Sequence, residues 1–427
     1  MKYGKRVKGI SIGWSDPSKV LRDRVFAVRL VFRTTVAKGE AKMLTVAQKK
    51  DGDVPELAME DVSFIDCDTH FLPLQALEKL GRLHPDFFRF SAEEDWVRFT
   101  YQGRIIAESR AGGEISGAAK HGHLYLEKKA QDMDREDPRS VQILGFAQSI
   151  CGTLYPPGIG ADVCRSLNEG VAELLDGSDI RGRFIPVAAI YLPWVEASVR
   201  EIKRTQKQGF KGVFLGPIRE PYADLSLGSQ GIWNIYEALN DLDMPIVYHT
   251  SNRQWKDWSS YDYKTINIPE LVGANHKALQ RVGDLGLLYG LPFTYACDIA
   301  ELIFSGTLDQ FPNLRFCLLE GRVASYLPAL MDSLDQVRLK RLSYRIKRRP
   351  SEYLSHFYPA VTANEKWLHH TIEAWPDHNM VLGSDYPHAD ASGTWPNSVK
   401  MIRENAKISD ADKERILVGN ARRFFRL

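Results

Sequence analysis

A (β/α)8 TIM barrel is expected for this 427-residue chain on three observations. From residue 60 onward, short β-branched or aromatic runs alternate with helical stretches, the pattern of repeated βα units. Eight such runs can be counted. Four of them end in side chains of the kind that ligate metals or move protons, and in barrels of this type such groups gather at the C-terminal ends of the strands.

The eight runs are Val62–Asp66, Val141–Phe146, Phe184–Ile190, Gly212–Gly216, Pro245–His249, Leu314–Leu319, Phe357–Val361 and Met380–Gly383. Between them, Ala161–Leu175 and Val195–Gln208 repeat apolar residues every three or four positions, and Gly209 follows the second as a stop signal. Gly231–Leu239 and Val323–Leu339 follow the same logic. Parallel strands joined by right-handed helical crossovers leave a closed barrel as the simplest arrangement. Residues 71–140 are rich in charge and glycine and read as a long insertion after the first strand, with a small separate domain left open there. The expected organisation is an N-terminal extension over 1–60 and a barrel over 61–427.

Composition agrees with an ordinary globular chain. Apolar residues at 44% and charged residues at 26% exclude a disordered or fibrous chain. With 56 Lys and Arg against 54 Asp and Glu, the charge of +2 is too balanced to make nucleic acid or an anionic membrane the default partner. No apolar run reaches the ~18 residues of a bilayer span. Cys67, Cys151, Cys164, Cys297 and Cys317 are odd in number and lack CxxC spacing, so a disulfide framework and a thiolate zinc knuckle are not expected. A reducing, cytoplasmic setting follows. Residues 1–38 carry ten Lys and Arg but only Asp16 and Asp23 as acids. Three readings stay open for this segment: an organelle transit peptide, an ordered arm, or translation begun upstream of Met43 or Met59. Nothing catalytic is expected before residue 60.

The strand ends carry the chemistry. The first ends in Asp66-Cys67-Asp68-Thr69-His70, the fifth in Val247-Tyr248-His249, the sixth in Leu319-Glu320-Gly321 and the eighth in Gly383-Ser384-Asp385-Tyr386-Pro387-His388. On a strand, positions two apart share a face, so Asp66, Asp68 and His70 can all look into the rim. Imidazole nitrogen and carboxylate oxygen suit Zn2+, Mn2+ or Fe2+. Asp68, His70, His249 and Asp385 would make a four-ligand set that leaves a position for water, whose pKa a metal lowers toward ~7. Asp385 suits both ligation and proton acceptance. One divalent metal is expected, Zn2+ first, with Mn2+ or Fe2+ as alternatives.

Each motif also has a plain structural reading. Asp66–His70 alone fits an Asx turn, His249 a rim histidine, and Asp385 a helix cap. His121-Gly122-His123 has HxH spacing but lies beside Lys120 and Lys128 and reads as a solvated loop. His369-His370 read as surface, and His276 as a possible extra pocket group. His388 is a candidate for contact with a ligand or with substrate. Asn252 to Tyr261, with Trp255 and Trp258, fits either a lid over the metal face or an oligomer contact.

These segments resemble the amidohydrolase superfamily, in the branch of the aminocarboxymuconate semialdehyde and γ-resorcylate-type decarboxylases. Phe64 to Pro73 resembles that branch's first-strand HxH segment, and Phe311-Pro312-Asn313-Leu314 its lead into strand six. Leu382 to His388 is similar to its GSDYPH signature, and Gly419-Asn420-Ala421-Arg422-Arg423-Phe424-Phe425 to its closing GNAxRxF helix. The resemblance implies a divalent metal held by the first-strand pair, His249 and Asp385. Two departures stand out. Asp68 occupies the first HxH position, which hardens the site toward Mn2+ or Fe2+. Glu320 stands where the decarboxylases carry a catalytic histidine, open to acting as general base, orienting a ligand or joining the metal shell. The resemblance also implies a basic residue from the insertion for a substrate carboxylate, a part open to Arg104 or Arg110.

The expected activity is a metal-dependent hydrolase of a small organic molecule, in which metal-bound hydroxide attacks a C–N, C–O or activated C–C bond. Its alternative is a non-oxidative carboxy-lyase of an aromatic or enoic acid. Asp385, Glu320 and His388 are the candidate catalytic residues in either case. A homodimer is the base-rate expectation for assembly.

Overall fold

The computed structural model describes residues 61–92, 96–110, 122–218, 225–249, 285–337, 346–388 and 394–427. They fall within the compact unit Val54–Leu427; the other unit, Met1–Asp53, lies outside the described residues, as does the expected N-terminal extension.

In chain order the strands are β1 (Phe64–Asp66), β2 (Phe88–Ala92), β3 (Trp96–Tyr101), β4 (Arg104–Arg110), β5 (Ser140–Leu144), β6 (Phe184–Ala189), β7 (Gly212–Leu215), β8 (Ile246–Tyr248), β9 (Phe316–Leu318), β10 (Phe357–Val361) and β11 (Val381–Leu382). Eight of them close a parallel barrel in the order β1-β11-β10-β9-β8-β7-β6-β5. Each of the eight runs read from sequence overlaps one of these strands, and all but Val141–Phe146, which starts one residue inside β5, contain it whole. Closure is made where β1 pairs on one side with β5, Ile65 opposite Val141, and on the other with β11, Asp66 opposite Leu382. The strands are buried along their whole length, with helices outside and packed strands within. That is why they read as continuous apolar runs and not as alternating ones.

The helices start and stop for local reasons. Pro157–Leu175 begins with proline at its first turn, where no N–H is needed. Val195–Lys207 ends two residues before Gly209, whose φ of 88° an L side chain rarely adopts.

The insertion has a structure of its own. β2, β3 and β4 form an antiparallel sheet, and its second hairpin turns at Gln102-Gly103, both with positive φ. Phe88 stacks on Phe99 at 5.1 Å, and Phe88 and Tyr101 meet Tyr155 at 5.7 and 4.9 Å. The sheet is thereby docked on the loop that follows β5. The helix Leu126–Glu136 returns the chain to the barrel. Gly122–Leu124 is a short 3-10 turn with Gly122 and Leu124 buried, so this part of the HxH segment is packed and not the solvated loop its flanking lysines suggest. His121 lies outside the described residues.

Arg315 ties the base of β9 to the C-terminal helix. It is buried, its Nε donates to Phe424 O at 3.1 Å, Nη1 to Asn313 O at 3.0 Å and Nη2 to Asp243 O at 2.9 Å, and it pairs with the Asp243 carboxylate. Arg315→Ala would leave those carbonyls without their charged donor. A stability loss of about 1–3 kcal/mol is expected, read as a lower thermal midpoint; an unchanged midpoint would contradict this role.

Candidate metal centre

The site forms where the ends of β1, β8, β9 and β11 meet. β1 runs on past Asp66 as an extended segment. Thr69 bridges to Tyr386 and His70 to Gly145, so the chain stays in register with both neighbours beyond the formal strand. Asp385 N donates to Asp68 O at 2.9 Å, and His70 N to Tyr386 O at 2.8 Å. These bonds carry Asp68, His70 and Asp385 to one rim.

Asp66 supports the segment from below. Its buried carboxylate accepts from Ser384 N at 3.0 Å, from Asp68 N at 3.2 Å and from Gln142 Nε2 at 3.4 Å. It therefore points into the packing between β1 and β11 and is absent from the ligand-type clusters, although its spacing allowed it to join them. Gly383 sits where a Cβ would lie 2.8 Å from Asp68 Cβ and 3.0 Å from Ala360 Cβ. Only glycine lets the eighth strand approach the Asp68 side chain this closely.

Two overlapping groups of donors result. One ligand atom from each of Asp68, His70 and His249 lies within 4.8 Å of the others, and the same holds for His70, Asp385 and His388. His70 Nε2 stands 3.1 Å from Asp385 Oδ1. The His70 ring is 5.4 Å from that of His249 and 4.9 Å, edge-on, from that of His388. His388 is exposed at the mouth, and its N–H donates to Asp385 O at 2.7 Å. Glu320 belongs to the same neighbourhood: its N–H donates to Asp68 Oδ2 at 3.0 Å, and its Oε2 is 3.6 Å from His249 Nε2. Asp385 and Glu320 hold φ of 59° and 61°, conformations that side chains other than glycine seldom adopt and that cluster at functional sites. Six of the seven acids and histidines singled out at the strand ends thus lie in one neighbourhood, Asp66 being the exception.

The electrostatics explain what such a site would accept. Burial raises the Asp68 pKa well above the usual carboxylate range, and Asp385, Glu320 and Asp66 push it further. Burial also lifts Asp66 to about 6, against the hydrogen bonds from Ser384 and Asp68 and the nearby Lys129. The His70 pKa is lowered by burial, which outweighs its bond to Asp385. Acids that resist ionising beside a histidine that resists protonation form a pocket short of positive charge. Asp68 Oδ1 and His70 Nδ1 are buried and lack a hydrogen-bond partner among the described residues. A divalent cation fits that description: it ionises carboxylates, takes neutral imidazole, and occupies orphaned donor atoms.

The remaining sequence candidates fall elsewhere. Asn252 to Tyr261 and His276 lie outside the described residues. Arg104 and Arg110 are the two ends of β4. His369 and His370 lie on the short helix Leu368–Ala374 with rings 3.9 Å apart, and His370 faces solvent beside Glu373. Spacing did not reveal Lys129. It is completely buried on Leu126–Glu136, its Nζ 3.4 Å from His70 O and 4.4 Å from the centre of the Tyr386 ring. Burial pulls its amine down to about 7, opposed by Asp66 and Asp132. A lysine at an apolar position of an otherwise amphipathic helix was the available signal.

The comparisons with known proteins agree on kinship. The amidohydrolase family profile matches residues 65–427. The chain is 22% identical over 368 residues to the 2-amino-3-carboxymuconate-6-semialdehyde decarboxylase of Dictyostelium discoideum, an alignment that covers 85% of this chain and 91% of that one. It is 25% identical over 283 residues to the gamma-resorcylate decarboxylase of Polaromonas sp. strain JS666, covering 62% and 77%. Among solved structures it superposes with TM-score 0.59 and 18% identity on a dihydroxybenzoic acid decarboxylase from Polaromonas sp. JS666 with bound manganese and 2-nitroresorcinol, over 86% of this chain and 97% of that one. Among the described residues, no helix is long and apolar enough to cross a membrane.

Two outcomes are expected. His70→Ala and His249→Ala should each weaken divalent-metal binding by more than the about 10–100-fold that loss of an outer partner costs; unchanged metal content by elemental analysis would contradict the assignment. In the metal-free protein the raised Asp68 pKa gives stability that is complete below the ordinary carboxylate pKa and is lost as pH rises through the raised value. Metal must displace that same proton. Affinity for Mn2+ should therefore climb as pH rises above the ordinary carboxylate range, with proton release, measurable by calorimetry in buffers of different ionisation enthalpy, and a flat profile without released protons would contradict it.

Proposed function

We propose, on the premise that the chain belongs to the amidohydrolase family, that it is a metal-dependent, non-oxidative decarboxylase of a small carboxylic acid of the aromatic or enoic class. The supporting observation is the convergence of Asp68, His70, His249, Asp385 and His388 at one mouth in a chain whose named relatives are decarboxylases. The relatives' names therefore favour the carboxy-lyase alternative over the hydrolase reading.

Asp68, His70, His249 and Asp385 would hold the ion. Mn2+ is the first ion to supply, since a compared decarboxylase carries manganese; Zn2+ and Fe2+ suit the same donors. When bound, the cation supplies a Lewis-acid anchor for the substrate carboxylate and a neighbouring oxygen. The chain's own residues do the rest. Decarboxylation breaks the C–CO2 bond, leaves its electron pair on carbon, and requires one proton delivered there. His388 stands at the open side of the cluster and can present that proton from a ring nitrogen. Asp385, bonded to His70 and carrying His388 on its own carbonyl, keeps the donor in place and can take part in proton exchange. Glu320 replaces the histidine of the resembling decarboxylases. With its Oε2 3.6 Å from His249 Nε2, it would orient that ring or join the metal shell.

Glu320 is also the observation that favours hydrolysis, because a carboxylate beside the metal position can serve as a base for water. One assay separates the two. Purified protein supplied with Mn2+ is expected to release CO2 from members of a panel of hydroxybenzoates and unsaturated acids and to leave a matched panel of esters and amides intact. Asp385→Asn should keep the fold by circular dichroism and lose at least about 100-fold in turnover. Metal-dependent ester or amide cleavage without CO2 release would overturn the carboxy-lyase assignment, and a fully active Asp385→Asn would remove the role of Asp385.

A further inference from the structure

The metal face is built by strand ends, yet one of its supports comes from outside the βα repeat. The helix Leu126–Glu136 belongs to the insertion after β1, and it presents two polar side chains one turn apart to the loop that follows β11. Asp132 accepts from the Tyr386 hydroxyl at 2.7 Å. Lys129 lies 4.4 Å from the centre of the same ring. Tyr386 is thus gripped at its tip and on its face by one helix. Its neighbour in the chain is Asp385. Gly122 closes the grip from the other side, because a Cβ there would collide with the Tyr386 hydroxyl.

Lys129 reaches further than Tyr386. Its Nζ is 3.4 Å from the carbonyl oxygen of His70. The amine therefore sits between two groups, the His70 main chain and the Tyr386 ring. His70 is a candidate ligand, and Tyr386 is the chain neighbour of another, Asp385. Immobilising a completely buried lysine costs side-chain entropy and desolvation, and no surface role recovers that cost.

We propose that Lys129 is a positioning residue of the metal centre, clamping the His70 main chain and the Tyr386 ring so that His70 and Asp385 keep the spacing a shared ion needs. The inference rests on the cation site proposed above, and on geometry alone. It makes the insertion helix a working part of the site and not only a cover.

The test is the affinity of the purified full-length chain for Mn2+, followed by the electron paramagnetic resonance signal of the free ion. Lys129→Met keeps the length and apolar stem and removes the N–H donor. It is expected to weaken Mn2+ binding about 10–100-fold, the usual effect of losing a partner that orients a ligand. Lys129→Gln retains an N–H donor on a shorter stem and should fall between Lys129→Met and the wild type. A lysine with a merely structural part would lower the melting temperature of the metal-free protein and leave Mn2+ affinity alone; that result overturns the proposal. Should Lys129→Met fail to fold, Lys129→Gln decides, with weakened binding expected and wild-type affinity overturning the inference. A wild-type chain that binds no Mn2+ would instead remove the cation site itself.

Discussion

Too many acids meet at the mouth of this barrel for the protein to tolerate without a cation or bound protons. Asp66, Asp68, Asp385 and Glu320 act on one another across strand ends that packing has already dried. At an effective dielectric of about 20, two like charges about 4 Å apart repel by about 4 kcal/mol, a large part of a domain's net stability. The backbone bonds that draw β1 and β11 together are the same ones that force these carboxylates into proximity. The fold therefore creates a crowd of carboxylates that, on the proposed reading, a divalent ion would neutralise, with Asp68 and His70 among its ligands.

That constraint explains otherwise unconnected details. Gly383 is needed because the eighth strand must pass against Asp68. Asp385 and Glu320 take left-handed backbone conformations because each must turn sharply off its strand to reach the rim. Asp66 is spent on the backbone of Asp68 and Ser384 and so cannot ligate. The insertion, through Lys129 and Asp132, reaches the underside of the same loop. Stability has been spent to hold a small number of donor atoms at short mutual distances, a common signature of functional sites.

Much of this was legible in the sequence, and the reason differs by feature. The barrel strands are buried on both faces, so each is a short apolar run bounded by helix signals, and all eight could be found. The ligand-type residues stood out because they recur at strand ends, a position with geometric meaning in this architecture. The three-stranded sheet was missed although the alternating Val97, Phe99 and Tyr101 and the Gln102-Gly103 turn announce a hairpin; the charges around them dominated the reading. The solvated-loop expectation for the HxH segment failed at Gly122 and Leu124, both buried; Gly122 packs against Tyr386, which is distant in the chain. The helical period places Lys129 on the buried face of Leu126–Glu136, but its contacts with His70 and Tyr386 lie 59 and more residues away, and no periodicity encodes which groups it meets there.

Glu320 and His388 flank the same cluster, the first 3.6 Å from His249 Nε2 and the second edge-on to the His70 ring. On the proposed carboxy-lyase reading, His388 would be the imidazole left to deliver a proton to carbon, with a carboxylate at the sixth strand end. The account stands on a cation bound jointly by imidazole and carboxylate. X-ray absorption at the zinc edge of the chain loaded with one equivalent of Zn2+ tests it most directly. Two imidazole nitrogens at about 2.0–2.1 Å together with carboxylate oxygens at about 2.0–2.2 Å are expected, and a shell of oxygen alone, with no imidazole scattering, would contradict it.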